Sequence, residues 1–389
     1  MLNINLNMDK DLKKIISEGL ASLSKAFSSS KSNDVALGVD IGSSSIKVVQ
    51  LKKKNGKAML ETYGVIALGP YVDADVGAVA ALKTEDISKA LIDVMKESNV
   101  TTKNAVISIP SLSSLIFTLS LPGTIEESQL SKVIPIEARK YIPVPISEVA
   151  LDWFIIPQEA EFIETTDGTA NKDTNVTKPA REVLVVAIHN DTLSQYQEIL
   201  KKTDLSSDSF EMEIFSNIRS SFNHEIASVI LVDFGASKTK VSIVEAGIVR
   251  AFHVVNRGSQ DISRNISQSL SIPFAEAEKL KRSVGLDSTI DERVEKISRM
   301  SVDYIFTDIN SIVFAYEKKY NKTISKVFLV GGGSLLKGLL DIAKQNFQAE
   351  VVYSNPFSKT EAPAFLEPIL ENSGPEFSVA VGLALRQLS

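Results

Sequence analysis

Two aspartates, Asp40 and Asp233, each stand where an apolar run breaks into small and hydroxylated residues. The segments are Val39-Asp40-Ile41-Gly42-Ser43-Ser44-Ser45-Ile46-Lys47 and Leu231-Val232-Asp233-Phe234-Gly235-Ala236-Ser237-Lys238-Thr239. Such a turn suits a phosphate tail: Gly42 and Gly235 let the backbone approach, and amide N–H groups donate to phosphate oxygens. Ser43, Ser44, Ser45, Ser237 and Thr239 add hydroxyl donors, and Lys47 can reach back from its strand. Asp40 and Asp233 can hold a magnesium ion through its water shell. One Asp-x-Gly turn alone is weak evidence, because many hairpins place these residues for backbone reasons. Two that face one another can clamp one phosphate chain from both sides.

A third segment, Val327 to Ser334, ends in Gly331-Gly332-Gly333-Ser334 ahead of a helix expected over 335–345. Read blandly it is a helix-start loop; it also exposes helix N-terminal amides that suit a phosphate or a close nucleoside. Between the second and third turns, Ala275 to Arg282 reads as a charged helix. Charge runs of this kind are usually solvated faces with i,i+4 pairs. The placement of this one makes it a candidate ribose- or base-facing edge through Glu278 and Lys281.

The elements that must position these residues form a repeat. Strands are expected over 35–51 and 58–68 with a polar hairpin turn at Lys52 to Gly56, then a helix over 84–97. The second half restarts with Val229 to Gly235, Thr239 to Val244, a turn at Ala246-Gly247 and a strand from Ile248 to Val254. A helical block over 260–318 and the Val327 strand follow. A closing helix, Phe377 to Gln387, carries Gly382, which permits a close helix crossing. Between the halves come strands over 105–109 and 115–119 and a helix from Glu126 to Tyr141 with a kink or restart at Pro135. They lead to a strand over 151–156, a polar loop from Thr165 to Pro179, a strand over 181–188 and a helix from Asp191 to Lys202 that Asp191 caps.

With 389 residues and 44% hydrophobic content, the chain is long enough for two domains with separate cores. A net charge of −6 argues against nucleic acid as a partner. The absence of cysteine excludes disulfides and thiolate metal sites. His189, His224 and His253 lack metal-ligand spacing. No apolar stretch approaches the ~18 residues of a membrane span, and the N-terminus lacks a secretory pattern. Over residues 9–27 the apolar positions Leu12, Ile15, Ile16, Leu20, Leu23 and Phe27 share one helical face. Such a helix packs on its own domain or is partly disordered, or else it docks on a membrane or partner; a Ser-rich linker follows it.

The motif set resembles the actin-like ATPases, from actin, MreB and FtsA to sugar kinases and heat-shock chaperones, over nearly everything after residue 34. Asp40 to Lys47 resembles the phosphate-one motif, Asp233 to Thr239 phosphate-two, and Val327 to Ser334 the adenosine motif. Phe377 to Arg386 is similar to the second connecting helix, and Glu278, Lys281 and Arg282 to the adenosine-contacting helix. Between the phosphate motifs, Leu119-Ser120-Leu121-Pro122, Glu137-Ala138-Arg139-Lys140-Tyr141-Ile142-Pro143-Val144-Pro145 and Glu148-Val149-Ala150-Leu151-Asp152-Trp153 closely resemble the PilM family of type IV pilus assembly.

That resemblance implies an α/β actin-like fold of two duplicated domains around a nucleotide cleft, with a 1C-type inserted subdomain. It divides the chain into an extension and linker (1–33), domain 1 (34–227, insert about 111–203), domain 2 (228–375) and a returning helix (376–389). It further implies a cytoplasmic protein, peripheral to the inner membrane through its partners. Such a protein binds ATP with Mg²⁺ and grips the cytoplasmic tail of a PilN-like protein in a groove between subdomains 1A and 1C, with affinity tuned by nucleotide state. Membrane contact is then indirect or through residues 9–27. Pro135, the 165–179 loop and the long 1–33 extension depart from the family pattern. Slow hydrolysis needs a water held near the second phosphate turn, for which Glu211 and Glu213, expected on the preceding helix, are candidates; a solvated helix face is their other reading. The rival readings are an FtsA-like filament scaffold for division, disfavoured by the apparent end just after the closing helix, and a small-molecule kinase, for which no substrate base is evident. Near the N-terminus, Ile4, Asn5 and Leu6 resemble the tail motif of PilN-like partners, which would allow self-association through the partner groove; an ordinary leader is the plainer reading.

Overall fold

The computed structural model describes residues 34–388, apart from 80, 157–179, 208, 224 and 226. The expected helix over 9–27, the Ile4-Asn5-Leu6 motif and the 165–179 loop therefore lie outside the described residues.

In chain order the elements are β1 (Val35–Ile41), β2 (Ser45–Lys54), β3 (Lys57–Ala67), α1 (Thr84–Glu97), β4 (Ala105–Ile109), β5 (Ser114–Leu121) and α2 (Glu127–Ala138). They continue as β6 (Val149–Ile155), β7 (Arg181–His189), α3 (Asn190–Lys202), β8 (Phe210–Met212), α4 (Glu213–Ser221), β9 (Val229–Phe234), β10 (Thr239–Glu245) and β11 (Ile248–Val255). The last are α5 (Ser259–Leu270), α6 (Phe274–Ser283), α7 (Glu292–Tyr320), β12 (Lys326–Val330), α8 (Leu339–Asn346), β13 (Glu350–Tyr353) and α9 (Glu367–Leu388).

The internal repeat is a duplicated sheet. One sheet runs β3-β2-β1-β4-β8 and the other β11-β10-β9-β12-β13. In each, the hairpin strands pair antiparallel and the later strands join in parallel. Parallel strands buried on both faces read as nearly continuous apolar runs, and β1, β4 and β9 are almost wholly buried, interrupted by the polar residues Asp40, Ser108 and Asp233. Both hairpins turn through a residue pair with positive φ, Asn55-Gly56 and Ala246-Gly247, the geometry that matches strand twist in a two-residue loop.

A separate compact unit covers residues 111–196. Its antiparallel sheet β5-β7-β6 packs Leu119, Leu121, Val183 and Val185 against Leu130 and Ile134 of α2. Glu126 and Gln129 form a capping box at the start of α2. The helix runs as one element through Pro135 and ends at Ala138, three residues before the expected Tyr141. Asp191 sits in the first turn of α3 and does not precede it, so it complements the helix dipole there.

The remaining unit, of which residues 34–110 and 197–388 are described, contains both large sheets. α9 lies against the first: Phe377, Ala380, Val381 and Ala384 pack with Ala36, Val49 and Leu51. The close approach occurs at Gly38 of β1, where a Cβ would stand 1.9 Å from the Ala380 carbonyl oxygen. Gly382 makes the close crossing its sequence permits, over α4, where a Cβ would meet the Ser216 carbonyl oxygen at 2.0 Å. Among the described residues, no helix is long and apolar enough to cross a membrane.

Candidate functional site

Strand pairing puts both acidic turns in one geometry. Asp40 is the register partner of Lys47, and Asp233 of Lys240. Each turn closes alike, with Gly42 N–H donating to the Ser45 carbonyl at 3.0 Å and Gly235 N–H donating to that of Lys238 at 3.2 Å. Both turns line a single cleft of about 330 Å³.

From the first half, Asp40, Gly42, Ser43, Ser44, Ser45 and Lys47 line it; from the second turn, Asp233 and Gly235 do. Helix α6 brings Glu278, Lys281 and Arg282, and the third turn brings Gly331, Gly332 and Gly333. Two expected contributors turn elsewhere, and a third is not part of the lining. Thr239 is fully buried and donates its hydroxyl to the Arg257 carbonyl at 2.9 Å. Ser334 is likewise buried and donates to the Gly331 carbonyl at 2.6 Å. Ser237 belongs to the second turn but not to the cleft lining.

The glycine turn differs from the helix start expected of it. A short 3-10 turn covers Gly332–Leu335, and α8 begins only at Leu339, after Gly338 with φ +80°. Packing against the second turn dictates glycine here. A Cβ on Gly331, where φ is +83°, would stand 2.5 Å from Asp233 Oδ1, and one on Gly333 2.6 Å from the Phe234 carbonyl oxygen.

Neither candidate glutamate lies on a solvated face. Glu211 sits on β8, not on a helix, and is not among the residues that line the cleft. Arg219 Nη1 and Nη2 both donate to it, at 2.6 and 2.7 Å, as does the Ser216 hydroxyl at 2.7 Å, with Arg386 Nη1 3.5 Å away. Glu213, the first residue of α4, does line the cleft, paired with Lys240 at 2.7 Å.

The cleft also holds residues that the motifs did not single out: Lys240, Ser259, Gly77, Ser378 and Glu376. Lys240 had a signal. It follows Asp233 by seven residues, as Lys47 follows Asp40, and the repeat makes those positions equivalent. Glu376 had none, since nothing in its neighbourhood marks the inner face of α9.

Burial raises the pKa of Asp40, with Lys47 opposing and Glu213 adding to the rise; the Ser108 hydroxyl donates to Oδ1 at 3.0 Å. Burial would lower the pKa of Lys240, but Asp233 and Glu213 reverse this and raise it well above the usual value. Burial raises Glu376, partly offset by Lys47 and Arg282. At Glu278 burial pulls upward, yet Lys281, Ser263 and Arg282 together bring the pKa below normal. The Lys281 ammonium, 2.6 Å from Glu278, is lowered by its own burial.

The Asp40 shift carries a stability consequence. Its folded-state pKa lies above the ordinary 3.8, so its contribution is full below that value and is lost as pH rises through the raised pKa. Asp40→Asn is expected to stabilise the ligand-free protein by about 1 kcal/mol at neutral pH. The gain should shrink as the pH approaches the carboxylate range. Thermal melts of both proteins across that range check it; a variant no more stable than the native chain at neutral pH refutes it.

A phosphate chain fits this geometry. The Gly42 turn is open where a Cβ would crowd Ser45, and Lys47 Nζ lies 3.9 Å from that position. Among the described residues no group of three or more acidic or histidine side chains has metal-binding spacing. Asp40 suits a water-shell contact; Asp233 suits it less well, because Lys240 Nζ stands 3.1 Å from Oδ2.

A family model described as type IV pilus assembly protein PilM matches residues 38–388. The cell division protein FtsA of Borreliella burgdorferi is 23% identical over 390 residues, covering 91% of each chain. FtsA of Neisseria meningitidis is 21% identical over 80% of this chain and 78% of its own. Among solved structures, a PilM-PilN type IV pilus biogenesis complex superposes with a TM-score of 0.76 at 21% identity, over 92% of this chain and all of the other. The ethanolamine utilization protein EutJ of Carboxydothermus hydrogenoformans gives 0.51 at 15%, over 97% and 99%.

Proposed function

The chain belongs to the type IV pilus assembly protein PilM family and has the actin-like ATPase fold, and we propose that it acts there as a nucleotide-binding scaffold. The observation that carries this reading is the convergence of two equivalent Asp-x-Gly hairpins and a glycine turn on one polar cleft. ATP is the ligand that fits such a clamp. Lys47 and the hydroxyls of Ser43, Ser44 and Ser45 neutralise and hold the phosphates, and Asp40 holds the water shell of a magnesium ion. Glu278, Lys281 and the 331–333 backbone take the nucleoside end. Turnover is slow, because of the two candidate glutamates Glu213 alone lines the cleft, and it is engaged by an ammonium.

The partner is the cytoplasmic tail of a PilN-like membrane protein, taken at the inserted unit, which exposes Ile136, Tyr141 and Phe154 at 60%, 52% and 53%. Through that partner the protein is held at the cytoplasmic face of the inner membrane. Nucleotide state sets the closure of the two sheet-bearing halves and thereby the affinity for the tail.

The test is capture of such a tail peptide by the native chain and by Lys47→Met, with and without Mg-ATP. The variant should bind ATP about 100-fold more weakly, having lost a charge-assisted contact. It should keep its nucleotide-free tail binding and lose the ATP response. An unaltered ATP affinity, or a tail affinity indifferent to ATP in the native chain, refutes the proposal.

A further inference from the structure

The two hairpins share a backbone but use their lysines differently. Lys47 reaches its own phosphate turn, its ammonium 3.9 Å from where a Gly42 Cβ would stand. Lys240 turns instead into a pocket of acids. Its side chain is 15% exposed, and Nζ lies 2.7 Å from Glu213 Oε2 and 3.1 Å from Asp233 Oδ2. Both carboxylates line the nucleotide cleft beside it. A divalent ion approaching Asp233 from that side meets a fixed positive charge at contact distance, and displacing Lys240 would strip a buried ammonium of two partners.

We infer that Lys240 is the resident cation of the second turn: its ammonium takes the place beside Asp233 and Glu213 that a divalent ion's water shell would need. The inference rests on the nucleotide reading and changes what holds the phosphates. From the second half they meet an ammonium that is part of the chain. Divalent metal, where it contributes, does so from the Asp40 side alone. The carboxylates of Asp233 and Glu213 then serve to position Lys240, and Glu213 is not available to take a proton from an attacking water.

The experiment is calorimetric ATP binding to the full chain in magnesium and again in excess EDTA. Native affinity should fall by less than about 3-fold on chelation, since the fixed ammonium remains. Lys240→Met should bind ATP in magnesium but lose about 100-fold or more in EDTA. Lys240→Arg, which keeps the charge, should behave as the native chain does. If Lys240→Met does not fold, the native ratio and the Lys240→Arg ratio still decide the matter. Native binding that is strong in magnesium and collapses in EDTA overturns this inference and leaves the nucleotide reading standing. A native chain that binds ATP in neither condition overturns both.

Discussion

Gly38→Ala should cost the protein most of its stability, although alanine is the smallest change available. The added methyl would stand 1.9 Å from the Ala380 carbonyl oxygen and 2.9 Å from the Ala384 amide nitrogen. Both are backbone atoms of α9, so no side chain can swing aside; the helix itself would have to move by more than about 1 Å. That helix covers the first sheet through Phe377, Ala380, Val381 and Ala384, and it also carries Glu376, Ser378 and Val379 into the cleft. Overpacking of this kind should destabilise by about 3–5 kcal/mol and lower the melting temperature by about 10 °C. Gly332→Ala is the control, because its nearest non-neighbour atom would lie at an ordinary 3.8 Å. Thermal melts that put Gly38→Ala within a few degrees of native would show that α9 is not seated as described.

Glu211→Ala should be the second severe change, and it should act on the fold alone. The carboxylate is buried and accepts from both Arg219 terminal nitrogens and from Ser216, with Arg386 of α9 near by. Arg219 Nη1 also donates to the Gly382 carbonyl at 3.2 Å, so the cluster fastens α4 to α9. Removing the acid takes a buried carboxylate from beside two guanidinium groups; Arg219 is about one-third solvated, which moderates the penalty to about 3 kcal/mol. Urea denaturation measures it. The folded fraction should bind nucleotide with native affinity, and a selective loss of ATP binding without a stability change would show that Glu211 acts at the site.

Sequence showed the duplicated framework because each acidic turn sits between two apolar runs too short to be anything but buried strands. The small-residue clusters at 42–45 and 331–333 gave the cleft lining for the same reason: few other features need that composition. What stayed hidden depended on contacts between distant segments. Glu211 reads as part of a helix because a three-residue strand, Phe210–Met212, is too short to show alternation. Glu376 falls just outside the helix expected from Phe377 to Gln387, because the Gly374-Pro375 pair ahead of it carries no helical signal. α9 instead runs from Glu367 straight through that pair, and the Pro375 carbonyl accepts from Gly331 N–H at 2.8 Å. Lys240 is marked only by its register equivalence to Lys47; the partners that neutralise it, Asp233 on β9 and Glu213 on α4, lie on other elements and do not show in its own strand. A charged side chain facing inward carries no local mark.

The seating of α9 on β1 and β2 has a consequence for biosynthesis. A ribosome delivers residues 36–51 more than 300 positions before residues 377–388, so the first sheet emerges with one apolar face bare and nothing yet made to cover it. Through most of translation, that surface is a ready target for chaperones or for aggregation. Nascent chains arrested ahead of residue 377 should therefore be far more protease-sensitive in their opening sheet than chains arrested beyond residue 388.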